Sequence, residues 1–496
     1  MCAMDVVEVI ALVLLVVEYA IKVVAVGVVP ENRRPSSSQA WLLLILFLPV
    51  VGVPLFLLIG SPWVRGRRHR IQVEANQQLA IAAEGLPTVP EHLPRQSSLL
   101  TSVITMNRDL TSLPCVTGRN EGLYEDTREF YAAMAASVDE ATSYVNVEFY
   151  IMAWDEVTDV FFAALAAAAE RGVTVRLLLD HIGSRGYPGW RQFQRRMTAA
   201  GIDWHLMMPI KPLQRRWRRP DLRNHRKLMV VDGTHAYLGS HNVIDPTYGS
   251  TRNARMGREW HDLSLRVAGR VVTEIDSVFA TDWYTETGES LPRMLPDDVD
   301  RAVDADHGGA TCPVNGMQVV PSGPGFPTEP NLRLFTQLIH QSVRRVSIVS
   351  PYFVPDEALL AAITTACFRG VRVDLYVGEQ ADQFLVGHAQ RSYYRALLEA
   401  GVHIWLYPKP LVLHSKYLVV DDEVAAIGSS NMDFRSFALS YEITLLGFAG
   451  NLVTALRDND REYQRVSREL TLTEWQQQPW HQRYLDNLCR LTSALM

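Results

Sequence analysis

The sequence predicts an α/β protein. Two tandem lobes, each a sheet covered by helices, share one active site between them, and an N-terminal two-helix transmembrane hairpin precedes them. Three observations predict this. First, the block Asn224-His225-Arg226-Lys227-Leu228-Met229-Val230-Val231-Asp232 returns as Leu413-His414-Ser415-Lys416-Tyr417-Leu418-Val419-Val420-Asp421. Both read H-x-K-x-x-x-x-D, and after six intervening residues both continue as Gly-Ser-x-Asn: Gly239, Ser240, Asn242 and Gly428, Ser429, Asn431. Second, the pattern of strands and helices upstream of the block is repeated with it. Third, two long apolar runs lie within the first 60 residues.

The hairpin comes first, at residues 1–62. Val6 to Val29 is interrupted only by Glu8, Glu18 and Lys22, and Ala40 to Gly60 carries no charge. Each run reaches the ~20 residues that a membrane-crossing helix needs. Glu18 and Lys22 are one helical turn apart and can pair. An intramembrane functional pair and a pair snorkelling to the interface are both compatible with that spacing. The turn-rich loop Pro30 to Gln39 joins the runs. After them come Trp63, Arg65, Arg67, Arg68, His69 and Arg70. That flank holds four Arg, against two in the loop and none before the first run. The positive-inside rule then makes this a multi-pass protein of the cell membrane with both chain ends, and the catalytic lobes, in the cytoplasm. Trp41 and Trp63 bracket the second run as interfacial anchors. No basic leader or small-residue cleavage site marks a signal peptide. Residues 63–112 are polar, broken by Pro87, Pro90 and Pro94, and read as a linker or a loosely attached helical segment.

The first lobe spans residues 113–306. Asp126 to Glu140 is Ala-rich at helical spacing. Tyr144 to Ile151 is β-branched and aromatic and reads as a strand. Asp159 to Glu170 is a helix ended by Gly172, and Val173 to Asp180 is a buried strand. The order returns in the second lobe, residues 331–496. There Arg345 to Phe353 is a strand, Glu357 to Phe368 a helix ended by Gly370, and Val371 to Val377 a strand. Ala200-Gly201-Ile202 before the first block matches Ala400-Gly401-Val402 before the second. The Gly/Pro-rich stretch 307–330 reads as the joint. Such β-α-β units place helices against a sheet. Two similar halves can pack about a pseudo-two-fold axis with their blocks face to face. A terminal amphipathic helix is expected over Trp475 to Leu495, with Trp475 and Trp480 either on the core or at an interface.

Composition limits the function classes. The 496 residues carry a formal net charge of -6, which argues against a nonspecific grip on nucleic acid. The five cysteines are far apart and contain no C-x-x-C pair, which fits reduced thiols facing the cytosol rather than a zinc or redox motif. The local exception to the acidic balance is Lys211-Pro212-Leu213-Gln214-Arg215-Arg216-Trp217-Arg218-Arg219-Pro220. It suits either docking on anionic headgroups or a solvated basic loop.

The repeated block carries the chemistry. Read as a strand, it places His225 and Lys227 on one face, and His414 and Lys416 likewise. Two Lys add fixed positive charge. Gly239 and Gly428 let backbone approach a ligand, while Ser240, Asn242, Ser429 and Asn431 add groups that could bind a phosphate. Together they form an anion site matched to a phosphoryl group that gains charge during displacement. One His can attack phosphorus. The other can protonate the leaving alkoxide and then deprotonate the incoming alcohol. Asp232 and Asp421 belong to the candidate catalytic set with the His and Lys residues, either fixing the local turn or handling protons. Asp262 and Glu442 occupy matching positions downstream and are expected to orient the imidazoles. His235, His241 and His261 occur once each and are weaker candidates.

With these residues in place, the chain resembles the phospholipase D superfamily and, within it, the bacterial cardiolipin synthases. The resemblance rests on the paired H-x-K-x-x-x-x-D blocks, Arg223-Asn224-His225-Arg226-Lys227, Pro351-Tyr352-Phe353-Val354-Pro355, Gly428-Ser429-Ser430-Asn431-Met432-Asp433-Phe434-Arg435-Ser436, and Trp41-Leu42-Leu43-Leu44 to Pro49 and Gly52 in the hairpin. It implies two α/β/α lobes with the site between them and transfer of a phosphatidyl group between two phosphatidylglycerol molecules, giving cardiolipin and glycerol. It also implies a phosphohistidine on His225, with His414 as acid/base, and no metal or other cofactor. Anionic membrane lipids, not nucleic acid, are the implied partners. Ser440-Tyr441 before Glu442 departs from the Asn-Phe of the family, and Gly239-Ser240 stands where Gly-Gly is also familiar. A phospholipase D-type hydrolase, another phosphatidyltransferase, a nuclease and a non-catalytic scaffold are the competing functions. The hairpin and acidic balance oppose the nuclease, and two complete blocks oppose the scaffold.

Overall fold

The computed structural model describes residues 6–31, 35–60, 67–82, 85–91, 93, 94, 96–210, 219–291 and 313–491. It divides into two units, residues 1–66 with 217–221, and residues 67–216 with 222–496. Trp63, Arg65 and the basic stretch 211–218 lie outside the described residues, as do Cys2, Cys312 and the first part of the expected joint.

In the smaller unit, α1 (Val6–Val28) is long and apolar enough to cross a membrane. Lys22 Nζ pairs with Glu18 Oε1 at 2.5 Å within it. The second apolar run is not one crossing helix. It forms α2 (Pro35–Phe47) and α3 (Pro49–Leu55), the latter continued by a π-helical turn over Phe56–Gly60. Pro49 has no N–H to donate and disfavours helical backbone at the residue before it. Leu48 accordingly takes φ -134° and ψ 63°. The chain then doubles back. The rings of Trp41 and Phe56 meet edge to face at 5.6 Å, where a straight helix would separate the two residues by about 22 Å. Gly52 permits the return, because a Cβ there would lie 2.8 Å from Ile45 Cα. The expected two-helix hairpin is thus one long helix and a folded-back helical pair, with Ala25, Val29, Trp41, Ile45 and Phe56 as a small shared core.

The larger unit holds both lobes. Its strands are β1 (Val116–Tyr124), β2 (Tyr144–Phe149), β3 (Thr174–Asp180), β4 (Asp203–Met207), β5 (Arg223–Asn224), β6 (Lys227–Val231), β7 (His235–Gly239), β8 (Trp260–His261), β9 (Ser264–Ala268) and β10 (Val314–Ser322). In the second lobe follow β11 (Arg345–Val349), β12 (Phe353–Val354), β13 (Arg372–Gly378), β14 (His403–Tyr407), β15 (Val412–Leu413), β16 (Tyr417–Val420), β17 (Val424–Gly428), β18 (Met432–Asp433), β19 (Ser440–Phe448) and β20 (Arg468–Leu470). The order β1-β9-β7-β6-β2-β3-β4 in the first lobe is repeated as β10-β19-β17-β16-β11-β13-β14 in the second. In each, three strands run parallel (β2, β3, β4 and β11, β13, β14), and the motif strand lies antiparallel beside the first of them. Strands β1 and β10 pair antiparallel, Val116 opposite Met317, and fuse the two lobes into one sheet.

Local chemistry places the helices as expected. Helix Thr127–Glu140 starts at Asp126, whose carboxylate accepts from the N–H groups of Arg128 and Glu129. Helices Asp159–Glu170 and Glu357–Phe368 match their expected spans. Each lobe has its own apolar core: Phe130, Tyr131, Phe161, Phe162 and Leu177 belong to one, and Phe335, Val346, Ile348, Leu375 and Leu397 to the other.

Three expectations are corrected. The stretch 307–330 is no plain linker, because its residues 314–322 form β10, bonded to both β1 and β19. Residues 98–111 of the expected linker form a helix capped by Ser97. Its Val103 and Ile104 are buried in the core of the second lobe, and Asn107 Nδ2 donates to Gln318 Oε1 at 3.0 Å. Three buried apolar side chains, Leu100, Val103 and Ile104, tie that helix down; polar flanks hid them in the sequence. Finally, β6 begins at Lys227 and β16 at Tyr417, so His225 and His414 precede the strands rather than sit on them.

Candidate active site

The histidines precede the strands because the chain is changing partners there. Just before the first block, β5 pairs with β19 of the other lobe, Tyr441 opposite Asn224, and His225 N donates to Tyr441 O at 2.8 Å. Just before the second, β15 pairs with β8 of the first lobe, Leu413 opposite His261, and His414 N donates to His261 O at 2.8 Å. Each motif histidine is therefore anchored by the residue that precedes the other lobe's carboxylate.

The side chains cross in the same way. His225 Nδ1 lies 3.0 Å from both oxygens of Glu442. His414 Nδ1 lies 2.6 Å from Asp262 Oδ1. A carboxylate at Nδ1 fixes the proton there and turns Nε2 outward as the free nitrogen. Both carboxylates are themselves held. Ser429 Oγ donates to Glu442 Oε2 at 2.5 Å and accepts from Ile443 N at 3.0 Å. Ser240 Oγ donates to Asp262 Oδ1 at 2.6 Å and accepts from Leu263 N at 2.9 Å. These serines were expected to bind phosphate; their hydrogens are spent on the carboxylates instead. The preceding glycines serve strand packing, not ligand approach: a Cβ on Gly239 would meet Leu263 O at 2.5 Å, and one on Gly428 would meet Ile443 O at 2.2 Å.

Lys227 Nζ donates to His225 O at 2.8 Å and Lys416 Nζ to His414 O at 2.5 Å. Each ammonium uses one of its three hydrogens in this way. Asn242 donates to the Tyr248 hydroxyl at 2.7 Å, which commits part of its amide. Asn431 keeps a buried Oδ1 with no hydrogen-bond partner; that oxygen can only accept, so a phosphoryl oxygen would have to meet the Nδ2 end of the amide.

Asp232 and Asp421 stand outside the site. Asp232 accepts from the backbone N–H groups of Thr142, Ser143 and Tyr144 at 2.7, 2.9 and 2.7 Å. Asp421 does the same for Val343, Arg344 and Arg345 at 2.7, 2.7 and 2.9 Å. Both take positive φ, 49° and 53°. They cap the chain entering β2 and β11, at the far end of the motif strand from the histidine. His241 stacks on Phe130 at 4.5 Å with Nδ1 on Ser264 Oγ, His261 stacks on Tyr407 at 5.4 Å, and His235 lies by Glu121. These three serve packing and surface pairing.

Several site residues escaped the sequence reading. The Tyr150 ring meets His225 edge to face at 5.0 Å and Tyr352 meets His414 at 6.3 Å. Their matching places, each just past the first parallel strand of its lobe, were the available signal. Arg226, buried, donates from Nε to Glu442 O at 3.1 Å and pairs with Asp282. Ser415, in the same place of the second motif, donates to His261 O at 3.3 Å and contacts the Tyr463 hydroxyl at 2.7 Å. The middle residue of each motif thus latches the opposite lobe beside its carboxylate. Beneath the first motif, Asn224 Nδ2 donates to Glu148 Oε1 at 2.8 Å, and Arg223 pairs with Asp180.

Electrostatics separates the two half-sites. Burial pushes His225 well below its ordinary value, reinforced by Lys227, Lys416 and His414. Burial also pushes Glu442 up to about 7, against the pull of Lys227. That pair favours a neutral imidazole. At Asp262 burial acts upward, but the charge and hydrogen bond of His414 outweigh it and hold the carboxyl well below the usual range. His414 is lowered by burial and supported from the other side by Asp262. Burial brings Lys227 down to about 7 and Lys416 to about 8. Among the described residues no group of three or more His, Cys, Asp or Glu is arranged to hold a metal ion.

The duplicated sheet order and the crossed His–carboxylate pairs define a two-half-site protein of the phospholipase D-like class. A family model described as "Cardiolipin synthase, PLD-like domain" matches residues 134–283 and 335–459, and the chain belongs to that family. A second model, "Phospholipase_D-nuclease N-terminal", matches residues 11–61. The chain is 31% identical to a cardiolipin synthase of Geobacillus kaustophilus (strain HTA426), over 94% of its length and 90% of the relative's. It is 32% identical to cardiolipin synthase A of Proteus mirabilis (strain HI4320), over 94% of each chain. The crystal structure of phosphatidylserine synthase from Haemophilus influenzae Rd KW20 superposes with a TM-score of 0.57 over 79% of this chain and 99% of that one. At 16% identity, that likeness shows the fold alone.

Proposed function

We propose that this protein is a membrane-bound cardiolipin synthase that moves a phosphatidyl group from one phosphatidylglycerol to another, releasing glycerol. The crossed pairing of His225 with Glu442 and His414 with Asp262 carries this reading, because it supplies two oriented imidazoles for the two steps. The neutral His225 attacks phosphorus through Nε2, and the bond to the headgroup glycerol breaks. His414, its positive charge supported by Asp262, gives that glycerol its proton. The hydroxyl of a second phosphatidylglycerol then loses its proton to His414 and displaces His225, restoring both rings. Lys227 and Lys416, with the Nδ2 amide of Asn431, donate to the phosphoryl oxygens. The names of the curated relatives support transfer to a lipid over hydrolysis.

The lobes in this reading are residues 113–306 and 331–496, the second completed by β10 (Val314–Ser322) as its edge toward the first. The protein belongs to the cell membrane, with the lobes on the cytoplasmic side. Helix α1 is the crossing helix, the folded-back α2–α3 pair follows it, and the Arg-rich flank of the sequence after them draws the lobes to the cytoplasmic side. The test is purified full-length protein with labelled phosphatidylglycerol. Cardiolipin and glycerol are expected. Phosphatidic acid as the main product would make it a hydrolase, and no turnover would overturn the substrate class.

A further inference from the structure

The C-terminal helix Trp480–Arg490 packs on the second lobe through Leu485, Cys489 and a buried carboxylate. Its Asp486 is 2% exposed and faces the second lobe. There His388 Nδ1 lies 2.6 Å from one carboxylate oxygen, and Gln478 Nε2 and Arg391 Nε donate to the other at 2.9 and 3.4 Å. A polar cluster thus fixes the helix to its own lobe. The opposite side carries Trp480, Tyr484, Leu488 and Leu491, which are 72%, 66%, 49% and 78% exposed. At ~100° per residue these four fall on one stripe. Exposed Arg483 and Arg490 border it. A helix that buries its Asp and presents Trp, Tyr and Leu to solvent leaves the apolar face for another surface to cover.

The same lobe exposes further apolar side chains closer to the site. Helix Phe384–Ala400 packs on this helix, and its first two residues, Phe384 and Leu385, are exposed apolar side chains. Two residues before Phe384, Asp382 accepts the Tyr352 hydroxyl at 2.6 Å, and the Tyr352 ring edges His414.

We infer that this face docks on the surface of an anionic bilayer and sets the second lobe's side of the site against its lipid substrate. The composition selects that occupant: Trp and Tyr with Leu between them, bordered by Arg, is the make-up of a helix lying in a headgroup layer. The Arg residues match the charge of phosphatidylglycerol. The inference rests on the proposed substrate class, and its test separates the two.

Full-length protein is placed in nanodiscs of phosphatidylglycerol or of phosphatidylcholine. An environment-sensitive fluorophore is attached at Tyr484→Cys, in an active background without native cysteines. The control is Val343→Cys, an exposed apolar position at the opposite end of the strands. The probe at 484 is expected to shift to the blue and to be quenched by brominated lipid, more strongly with phosphatidylglycerol, while the probe at 343 stays water-like. Equal, water-like spectra at both positions would overturn docking. So would a blue shift in detergent that grows with protein concentration, since a second copy would then cover the face. In a second measurement, Trp480→Ser with Leu488→Ser raises KM for bilayer phosphatidylglycerol about tenfold. Its kcat on a short-chain, monomerically dispersed substrate is unchanged; an equal loss on both substrates would mean a structural role and overturn docking. A quenched probe in a protein that never turns over phosphatidylglycerol would leave docking intact and overturn the substrate reading.

Discussion

The two half-sites are built alike, but their carboxylates are tuned in opposite directions. Glu442 spans His225 Nδ1 with both oxygens at 3.0 Å, whereas Asp262 meets His414 Nδ1 through one oxygen at 2.6 Å. The longer carboxylate is pushed up by burial and the shorter one is held down by its imidazole. Burial lowers both rings, but only at His414 does a charged carboxylate, Asp262, oppose the fall, so the second half-site supports an imidazolium better than the first. A duplicated domain can evolve from two equal halves, but a displacement reaction needs its nucleophile and its acid in opposite protonation states. Glu442 against Asp262, like Arg226 against Ser415, is a departure from symmetry between the halves.

The sharpest break of the comparison is removal of either ring. His225→Ala and His414→Ala each lower product formation by at least ~10³-fold, measured with labelled phosphatidylglycerol, because nucleophile and acid/base are separate losses. Mass spectrometry of the quenched wild-type enzyme finds the phosphatidyl adduct on the peptide carrying His225. An adduct on His414 would invert the assignment.

Next come the carboxylates. Asp262→Asn costs ~10³-fold in kcat and Glu442→Gln ~10²-fold, since only the former removes a charge that supports an imidazolium. Equal losses would mean that the half-sites are electrostatically equivalent. The pH dependence of stability carries a sign as well. Glu442 is raised from an unfolded value near 4.5 to about 7, so the folded state binds the extra proton between those values. Its stabilising contribution is present below the unfolded value and lost as pH rises through 7. The lowered His225 acts oppositely: the unfolded state binds the proton first, and stability falls as pH drops below ~6.5. Denaturant titrations of Glu442→Gln should lack the decline between pH 4.5 and 7.

The latches give a smaller difference. Arg226→Lys keeps the charge but loses the planar Nε donor to Glu442 O, and lowers kcat ~10- to 100-fold with little change in KM. Ser415→Ala, whose bond to His261 O is longer, costs only ~2- to 5-fold. The smallest catalytic effect falls on the strand caps. Asp232→Ala and Asp421→Ala lower stability by about 1–3 kcal/mol by leaving backbone N–H groups unpaired, while kcat of the folded fraction stays near wild type. A kcat collapse there would return these residues to the chemistry.

Much of this molecule was legible in its residues. Repeats of spacing are unaffected by folding, so the paired blocks, the matched helices and the candidate histidines, lysines and carboxylates could be read from order alone. Helix boundaries at Asp126 and Asp356 follow from side chains that satisfy the first turn's N–H groups. Local pattern reports only whether a residue is buried or at a turn, and not by what. Strand β10 and helix Ser98–Thr111 were missed because their partners lie 200 residues away in sequence, Asn107 meeting Gln318. Ser240 and Ser429 looked like phosphate ligands because a hydroxyl's partner cannot be seen in a string of letters. The fold-back at Leu48 had a signal in Pro49 that apolar length concealed. Sequence by itself determined that the motif is duplicated and which histidines, lysines and carboxylates correspond between the copies by position. Only tertiary structure decided that each imidazole takes its carboxylate from the opposite lobe, because that choice is made where β5 meets β19 and β15 meets β8, across segments that share no local pattern.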